Sequence, residues 1–236
     1  MYSNYQYLSK NYTDINDFSY STLFREYYSD SSPIIMICCC QKYIEYLHAA
    51  VKRFTNSSWK VVGIVGGVNK TTYDDKTNIL SLEISDTYEN LPSKIHAAIE
   101  WIYKKWPNCS GIFKTDDDII MDIEELSTLL LSTNEKYMGL NVEGCGSNKV
   151  DKGRIASRFD NTSLSPTHQS AHYCWGAGYW LHNSVLPFII NEKDEYDNSA
   201  LEDVCTGYVL NKNGVYPSKI SIDWKEAPRN HDLLNV

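Results

Sequence analysis

The stretch Gly111-Ile-Phe-Lys-Thr-Asp-Asp-Asp118, followed shortly by Asp122-Ile-Glu-Glu-Leu-Ser-Thr-Leu-Leu130, decides the architecture of this chain. Gly111 to Thr115 has the length and apolar character of a buried strand. Asp122 with Glu125 three residues on has the spacing of a capping box, and Ile123, Leu126, Leu129 and Leu130 then recur with helical period. The three aspartates therefore lie between a strand and a helix. In an alternating α/β chain, that loop sits at the carboxyl end of the sheet, where ligands bind.

The same alternation extends in both directions. Upstream, Pro33-Ile-Ile-Met-Ile-Cys-Cys-Cys40 is a continuous apolar strand, and Ile44, Leu47, Val51 and Phe54 form a helical stripe. Trp59 to Val65 reads as a second strand closed by Gly66-Gly67, and Ile79 to Ile84 as a third. A helix starts near Leu91 with Pro92 in its first turn and buries Ile95, Ala98, Ile99 and Ile102. Downstream, Tyr137 to Val142 is a strand, Glu143 to Ala171 is Gly-, Ser- and Asn-rich with hairpin-like pieces, and Tyr173 to Leu181 is a strand interrupted by glycine. Val185, Leu186, Ile189 and Ile190 suggest a helix, and Leu201, Val204, Cys205 and Tyr208 another, with Glu202 and Asp203 in its first turn. The pattern predicts one α/β domain over residues 31–236, with a mainly parallel sheet covered by helices on both faces. Residues 1–30, rich in Tyr, Ser, Asn and Asp without clear period, read as a peripheral arm.

Composition narrows the function classes. A chain of 236 residues with 42% hydrophobic and 22% charged residues has the make-up of a folded globule. Its 30 acids against 22 Lys and Arg give a net charge of −8, which argues against a nucleic-acid partner. The short basic pairs Lys52-Arg53 and Lys104-Lys105 read as solvated helix faces. The seven cysteines lack zinc-site spacing, and Cys38-Cys39-Cys40 read as core thiols of a reducing compartment. No apolar stretch is long enough to span a bilayer and the first residues do not form a secretion signal, so a soluble, cytoplasmic protein is expected.

Adjacent carboxylates repel one another, so three at a strand end call for a cation or substrate hydroxyls to offset them. Mn²⁺ or Mg²⁺ suits them, since such hard ions take one or two protein carboxylates together with phosphate oxygens and water. A solvated acidic turn is the alternative. Glu202 and Asp203 likewise stand either as catalytic acids or as charges that stabilise a helix N-terminus. Gly63-Ile-Val-Gly-Gly-Val-Asn-Lys-Thr71 misses the phosphate-loop pattern, because Ile64 and Asn69 occupy its glycine positions.

Four blocks in order carry a resemblance. They are Asp86-Thr-Tyr-Glu-Asn-Leu-Pro-Ser-Lys94, then Lys114-Thr-Asp-Asp-Asp118 after Trp101 and Cys109, then Tyr173-Cys-Trp-Gly-Ala-Gly-Tyr179, then Leu201-Glu-Asp-Val-Cys-Thr-Gly207. Together they resemble the beta-1,3-galactosyltransferase family (glycosyltransferase family 31), which also holds N-acetylglucosaminyltransferases and fringe-like enzymes. The resemblance, from about Trp59 to Pro217, implies a GT-A type fold. It also implies inverting transfer of a hexose or N-acetylhexosamine from a uridine-diphosphate sugar to a hydroxyl of a glycan acceptor, in beta-1,3 linkage. By the same resemblance, Asp116 faces the donor ribose and sugar, Asp118 with Asp117 reaches a metal on the diphosphate, and Lys94 lies near the donor. Gly176, Ala177 and Gly178 bring backbone close to the sugar, with Trp175 and Tyr179 as a stacking surface. Asp203 is the base, with Glu202 its rival, and His231 a further metal ligand.

The family's Arg-x-x-Ile-Arg-x-Thr-Trp segment survives only in fragments, in His48-Ala-Ala-Val-Lys-Arg-Phe-Thr-Asn-Ser-Ser-Trp59. A non-catalytic protein of the same fold that binds a nucleotide sugar or carbohydrate is therefore the alternative function.

Overall fold

The computed structural model describes residues 31–55, 57–144 and 171–227. The proposed arm over 1–30, most of the Gly-rich segment and His231 lie outside them.

The centre of the fold is the run Ile34–Cys38 (β1), whose residues are all buried. Side chains alternate along a strand, so a continuous apolar run must be covered on both faces. Ile34, Met36 and Cys38 enter one core with Ile95, Ala98, Ile99 and Ile102 of helix Leu91–Lys105, whereas Ile35 and Ile37 enter a second core with Leu47, Ala50, Val51 and Phe54 of helix Ile44–Phe54. We call the Ile44–Phe54 helix α1 and the Leu91–Lys105 helix α2. Ile123–Leu131 (α3) shares the α1 face, and Leu186–Ile190 (α4), Lys193–Asp197 (α5) and Glu202–Lys212 (α6) share the α2 face.

Around β1 the sheet holds Lys60–Val65 (β2), Thr72–Asp74 (β3), Ile79–Ser81 (β4), Gly111–Asp116 (β5), Tyr137–Gly139 (β7), Gly178–His182 (β10) and Ser218–Lys219 (β11), in the order β11-β7-β10-β5-β1-β2-β4-β3. β4, β2, β1 and β5 are mutually parallel, as are β7 and β11. β10 runs antiparallel between β5 and β7, and β3 antiparallel to β4. This is the mainly parallel α/β architecture expected of a GT-A type fold, with helices on both faces.

Three expected strands are divided differently. Tyr137 to Val142 breaks after Gly139, where Cys174 packs so closely that a Cβ would lie 2.3 Å from its Cβ. Its remainder, Val142–Glu143 (β8), pairs with Tyr173–Cys174 (β9) in a separate ribbon, while Gly178 onward re-enters the main sheet as β10. The third expected strand ends at Ser81 and forms a hairpin with β3 through Asn78, which takes a left-handed φ of 56°. No described helix is long and apolar enough to cross a membrane.

Candidate functional site

β5 ends at Asp116, beside Cys38 at the end of β1. Asp117 and Asp118 turn the chain into a short strand, Ile119–Met121 (β6), that the loop reading had missed; it pairs with Trp224–Glu226 (β12). Asp122 then caps α3, its Oδ1 accepting from the Glu124 and Glu125 N–H groups at 2.9 and 3.2 Å. The three aspartates are thus held by a strand on one side and a capped helix on the other.

They are not equivalent. Asp117 is buried, and its Oδ2 accepts a hydrogen bond from Cys39 Sγ at 3.3 Å. Asp116 and Asp118 are half-buried, and all three aspartates line a cavity of about 670 Å³ that also includes Tyr88, Lys94 and Ala177. Arg53 of α1 supports the turn from behind, where its guanidinium donates to the Ile119 carbonyl at 2.7 Å. Burial lowers the Arg53 pKa, and the charges of Asp117 and Asp118 oppose that shift. The expectation that Lys52-Arg53 is simply a solvated face is corrected for Arg53, since helix period turns it inward while Lys52 stays exposed.

Lys94 is 3% exposed and donates to Asp86 Oδ1 at 2.6 Å and to the Cys39 carbonyl at 2.8 Å. It ties the loop before α2 to the end of β1 and forms part of the wall of the first cavity.

A second cavity of about 350 Å³ adjoins the first, sharing Tyr88, Leu91, Asp116, Ala177 and Glu226, and is lined further by Trp175, Gly176, Glu202 and Asp203. The two acids of α6 differ in the same way as the aspartates. Glu202 is 4% exposed; its Oε2 accepts from the Tyr179 hydroxyl at 2.8 Å and its Oε1 lies 3.1 Å from Lys114 Nζ. Among the described residues, Asp203 accepts backbone hydrogen bonds from Val204 N–H at 2.8 Å and Gly176 N–H at 3.2 Å. Burial and then the Glu202 charge raise its pKa from 3.8 to about 7.

Trp175 is 42% exposed and stands in the second cavity, but Tyr179 is fully buried. The pairing of these two as a stacking surface is therefore corrected: alternation on β10 points Tyr179 into the core beneath Glu202. Gly176 lines the second cavity and is closely packed against protein, since a Cβ there would lie 3.0 Å from Glu202 Oε1 and 3.3 Å from Lys114 Nζ. Gly178 faces Leu140 and Phe113, where a Cβ would come within 2.7 and 2.9 Å.

The sequence reading gave no role to Lys114, Tyr179 beyond stacking, or Glu226. Lys114 had a visible signal, a lysine inside an apolar strand two residues before Asp116. The others are joined to the site only by long-range packing.

Asp116 and Asp118 present oxygen donors to the first cavity, and among the described residues no group of three or more His, Cys, Asp or Glu side chains is arranged to hold a metal. One or two carboxylates beside an open cavity fit a hard cation that completes its shell with phosphate oxygens and water. A fully enclosed protein site is not what these residues build.

Comparison with known proteins agrees with the four sequence blocks. The Galactosyltransferase family profile matches residues 68–221. The chain is similar to beta-1,3-galactosyltransferase 5 of Pan troglodytes, with 27% identity over 139 residues, 57% of this chain and 46% of that protein. It is also similar to UDP-GalNAc:beta-1,3-N-acetylgalactosaminyltransferase 1 of Sus scrofa, 29% identical over 140 residues, 57% of this chain and 40% of that protein. The aligned part is thus under half the length of these relatives. Among solved structures, a glycosyltransferase involved in glycosylation of the major capsid of PBCV-1 superimposes with a TM-score of 0.40 at 9% identity, covering 71% of this chain and 67% of that one. The profile spans more than half of the chain and includes both acidic pairs of the site, so the chain belongs to the Galactosyltransferase family.

Proposed function

We propose that this chain is an inverting glycosyltransferase that moves a hexose or N-acetylhexosamine from a uridine-diphosphate sugar to a glycan hydroxyl, forming a beta-1,3 linkage. The observation that carries the reading is a pair of adjoining cavities meeting at Asp116 and Ala177, one bordered by the aspartate turn and the other by Asp203. That layout suits a donor on one side and an acceptor on the other, with the reacting carbon between them.

The first cavity takes the nucleotide diphosphate, with Asp118, helped by Asp117, as the carboxylates that would hold Mn²⁺ or Mg²⁺. The bound ion supplies positive charge against the diphosphate as it leaves. Asp116, half exposed and anchored by Lys114, also faces the donor sugar, and Lys94 adds a fixed positive charge at the cavity wall. In one displacement the acceptor oxygen bonds to the anomeric carbon from one face while the carbon–phosphate oxygen bond breaks on the other. The acceptor proton passes to a carboxylate as the new bond forms.

Asp203 is that carboxylate. Both oxygens of Glu202 are engaged by Tyr179 and Lys114, which leaves it less available to an acceptor hydroxyl. Asp203 borders the second cavity with a pKa near neutrality, the range in which a general base is both ionised and basic enough to work. Trp175 and Tyr88, both with exposed rings, offer apolar surface for the acceptor. The free, buried thiols of Cys38, Cys109, Cys174 and Cys205 support a reducing setting for the protein.

The test is to screen uridine-diphosphate sugars with MnCl₂ by thermal shift, then to measure uridine diphosphate release with glycan acceptors. Metal-dependent release by the wild type, with Asp203→Asn still binding uridine diphosphate but turning over far more slowly, supports transfer. Binding without turnover for any donor and acceptor favours the non-catalytic alternative, and absence of both binding and turnover rules out the donor site.

A further inference from the structure

Lys114 belongs to neither acid pair, yet it touches both. Strand alternation places it on the same face of β5 as Asp116, beneath the N-terminus of α6. It is 1% exposed, and its ammonium lies 2.8 Å from Asp116 Oδ1 and 3.1 Å from Glu202 Oε1, and donates to the Gly176 carbonyl. The Tyr179 ring centroid is 5.8 Å away. These partners come from β5, α6, the β9–β10 connection and β10. One buried cation therefore joins the strand that carries the donor-side aspartates to the helix that carries the acceptor-side acids. Burial opposes its charge, but Asp116 and Glu202 outweigh burial and hold its pKa well above the ordinary lysine value. Lys114 lines the second cavity and not the first, so it reaches a nucleotide only through Asp116.

We propose that Lys114 is a positioning residue that fixes Asp116 and the Glu202–Asp203 pair in register across the boundary of the two cavities. The inference rests on the donor and acceptor reading of those cavities. Removing the ammonium alone leaves the buried Glu202 carboxylate and the half-buried Asp116 without their shared countercharge, so Lys114→Met is expected to melt well below the wild type. K114M/E202Q removes one charge of each sign and is the informative variant, with E202Q as its reference.

Uridine diphosphate affinity in MnCl₂ is read by calorimetry, alongside melting temperature. K114M/E202Q is expected to fold and to bind uridine diphosphate at least tenfold more weakly than E202Q, because Asp116 has lost its anchor. In turnover, the change falls on donor KM at least as strongly as on kcat. General loosening of the fold lowers the active fraction, and hence kcat, while leaving KM alone. Equal affinities in the two folded variants overturn the proposal. So does failure of both K114M/E202Q and K114Q/E202Q to fold while E202Q is native, which marks Lys114 as purely structural. A wild type that binds no uridine diphosphate overturns the donor reading, and this inference with it.

Discussion

Asp203 shows how much one carboxyl can differ from the residue beside it. Both acids open the same helix, but Glu202 is held directly by a lysine and a tyrosine, while among the described residues Asp203 accepts hydrogen bonds from backbone N–H groups. Its pKa of about 7 has two consequences with opposite signs. The base works when ionised, so kcat/KM rises with pH along a limb centred near 7, and Asp203→Asn lowers kcat by roughly 10²- to 10⁴-fold. Stability moves the other way. The folded pKa lies above the unfolded value near 3.8, so the native state binds more protons between those values and stability is lost as pH rises from about 4 to 7. Asp203→Asn should therefore melt above the wild type at pH 8, by on the order of 1 kcal/mol allowing for partial exposure, with the difference vanishing below pH 4. Thermal melts of the two proteins across that range check this.

At the scale of elements, the aspartate turn is held at both ends, and each hold can be released separately. Asp122→Ala removes the N-cap of α3 and is expected to cost about 1 kcal/mol in urea unfolding. Arg53→Ala removes the hydrogen bond to Ile119 and the positive charge behind Asp117 and Asp118. It is expected to weaken metal-dependent uridine diphosphate binding several-fold in calorimetry, at a stability cost of about 1 to 2 kcal/mol. The strand–turn–helix order around these residues was legible in the chain, because strand length, capping spacing and helical period are local signals. The inward turn of Arg53 was not, since a Lys-Arg pair has the same composition whichever member faces the protein. The β6–β12 ribbon escaped notice for a similar reason: its strands are short, and each is stabilised by a partner far away in sequence.

For the whole molecule, the site depends on β10 reversing direction between β5 and β7, which brings the Gly176 loop and α6 to the edge where the aspartates lie. Close packing at this junction leaves little room. A Cβ on Gly111 would stand 2.3 Å from the Leu181 carbonyl and 2.5 Å from Trp180, so Gly111→Ala is expected to force β5 and β10 apart. The cost is on the order of 3 kcal/mol or more, measurable as a lower urea midpoint. Ligand binding should act in the opposite direction. Uridine diphosphate at about 100 times its Kd in MnCl₂ stabilises the native state by about 2.7 kcal/mol, seen as a rise in melting temperature that EDTA removes.

The amino-acid sequence by itself determined the α/β class, the two-sided burial of β1, the aspartates at a strand end and the acids at the start of α6. Each is a matter of local pattern, whether apolar period, capping residues or a run of like charges. Tertiary structure decided how the members of each acidic group differ: all three aspartates line the first cavity, but Asp117 is buried and accepts from Cys39, and both acids of α6 line the second, but Glu202 is held by Tyr179 and Lys114 while Asp203 accepts from backbone N–H groups. Neighbouring carboxylates are alike to any local reading. What separates them is burial and the partners supplied by residues far off in the chain, Lys114 for Glu202 and Cys39 and Arg53 for the aspartate turn, and only the folded sheet brings those together.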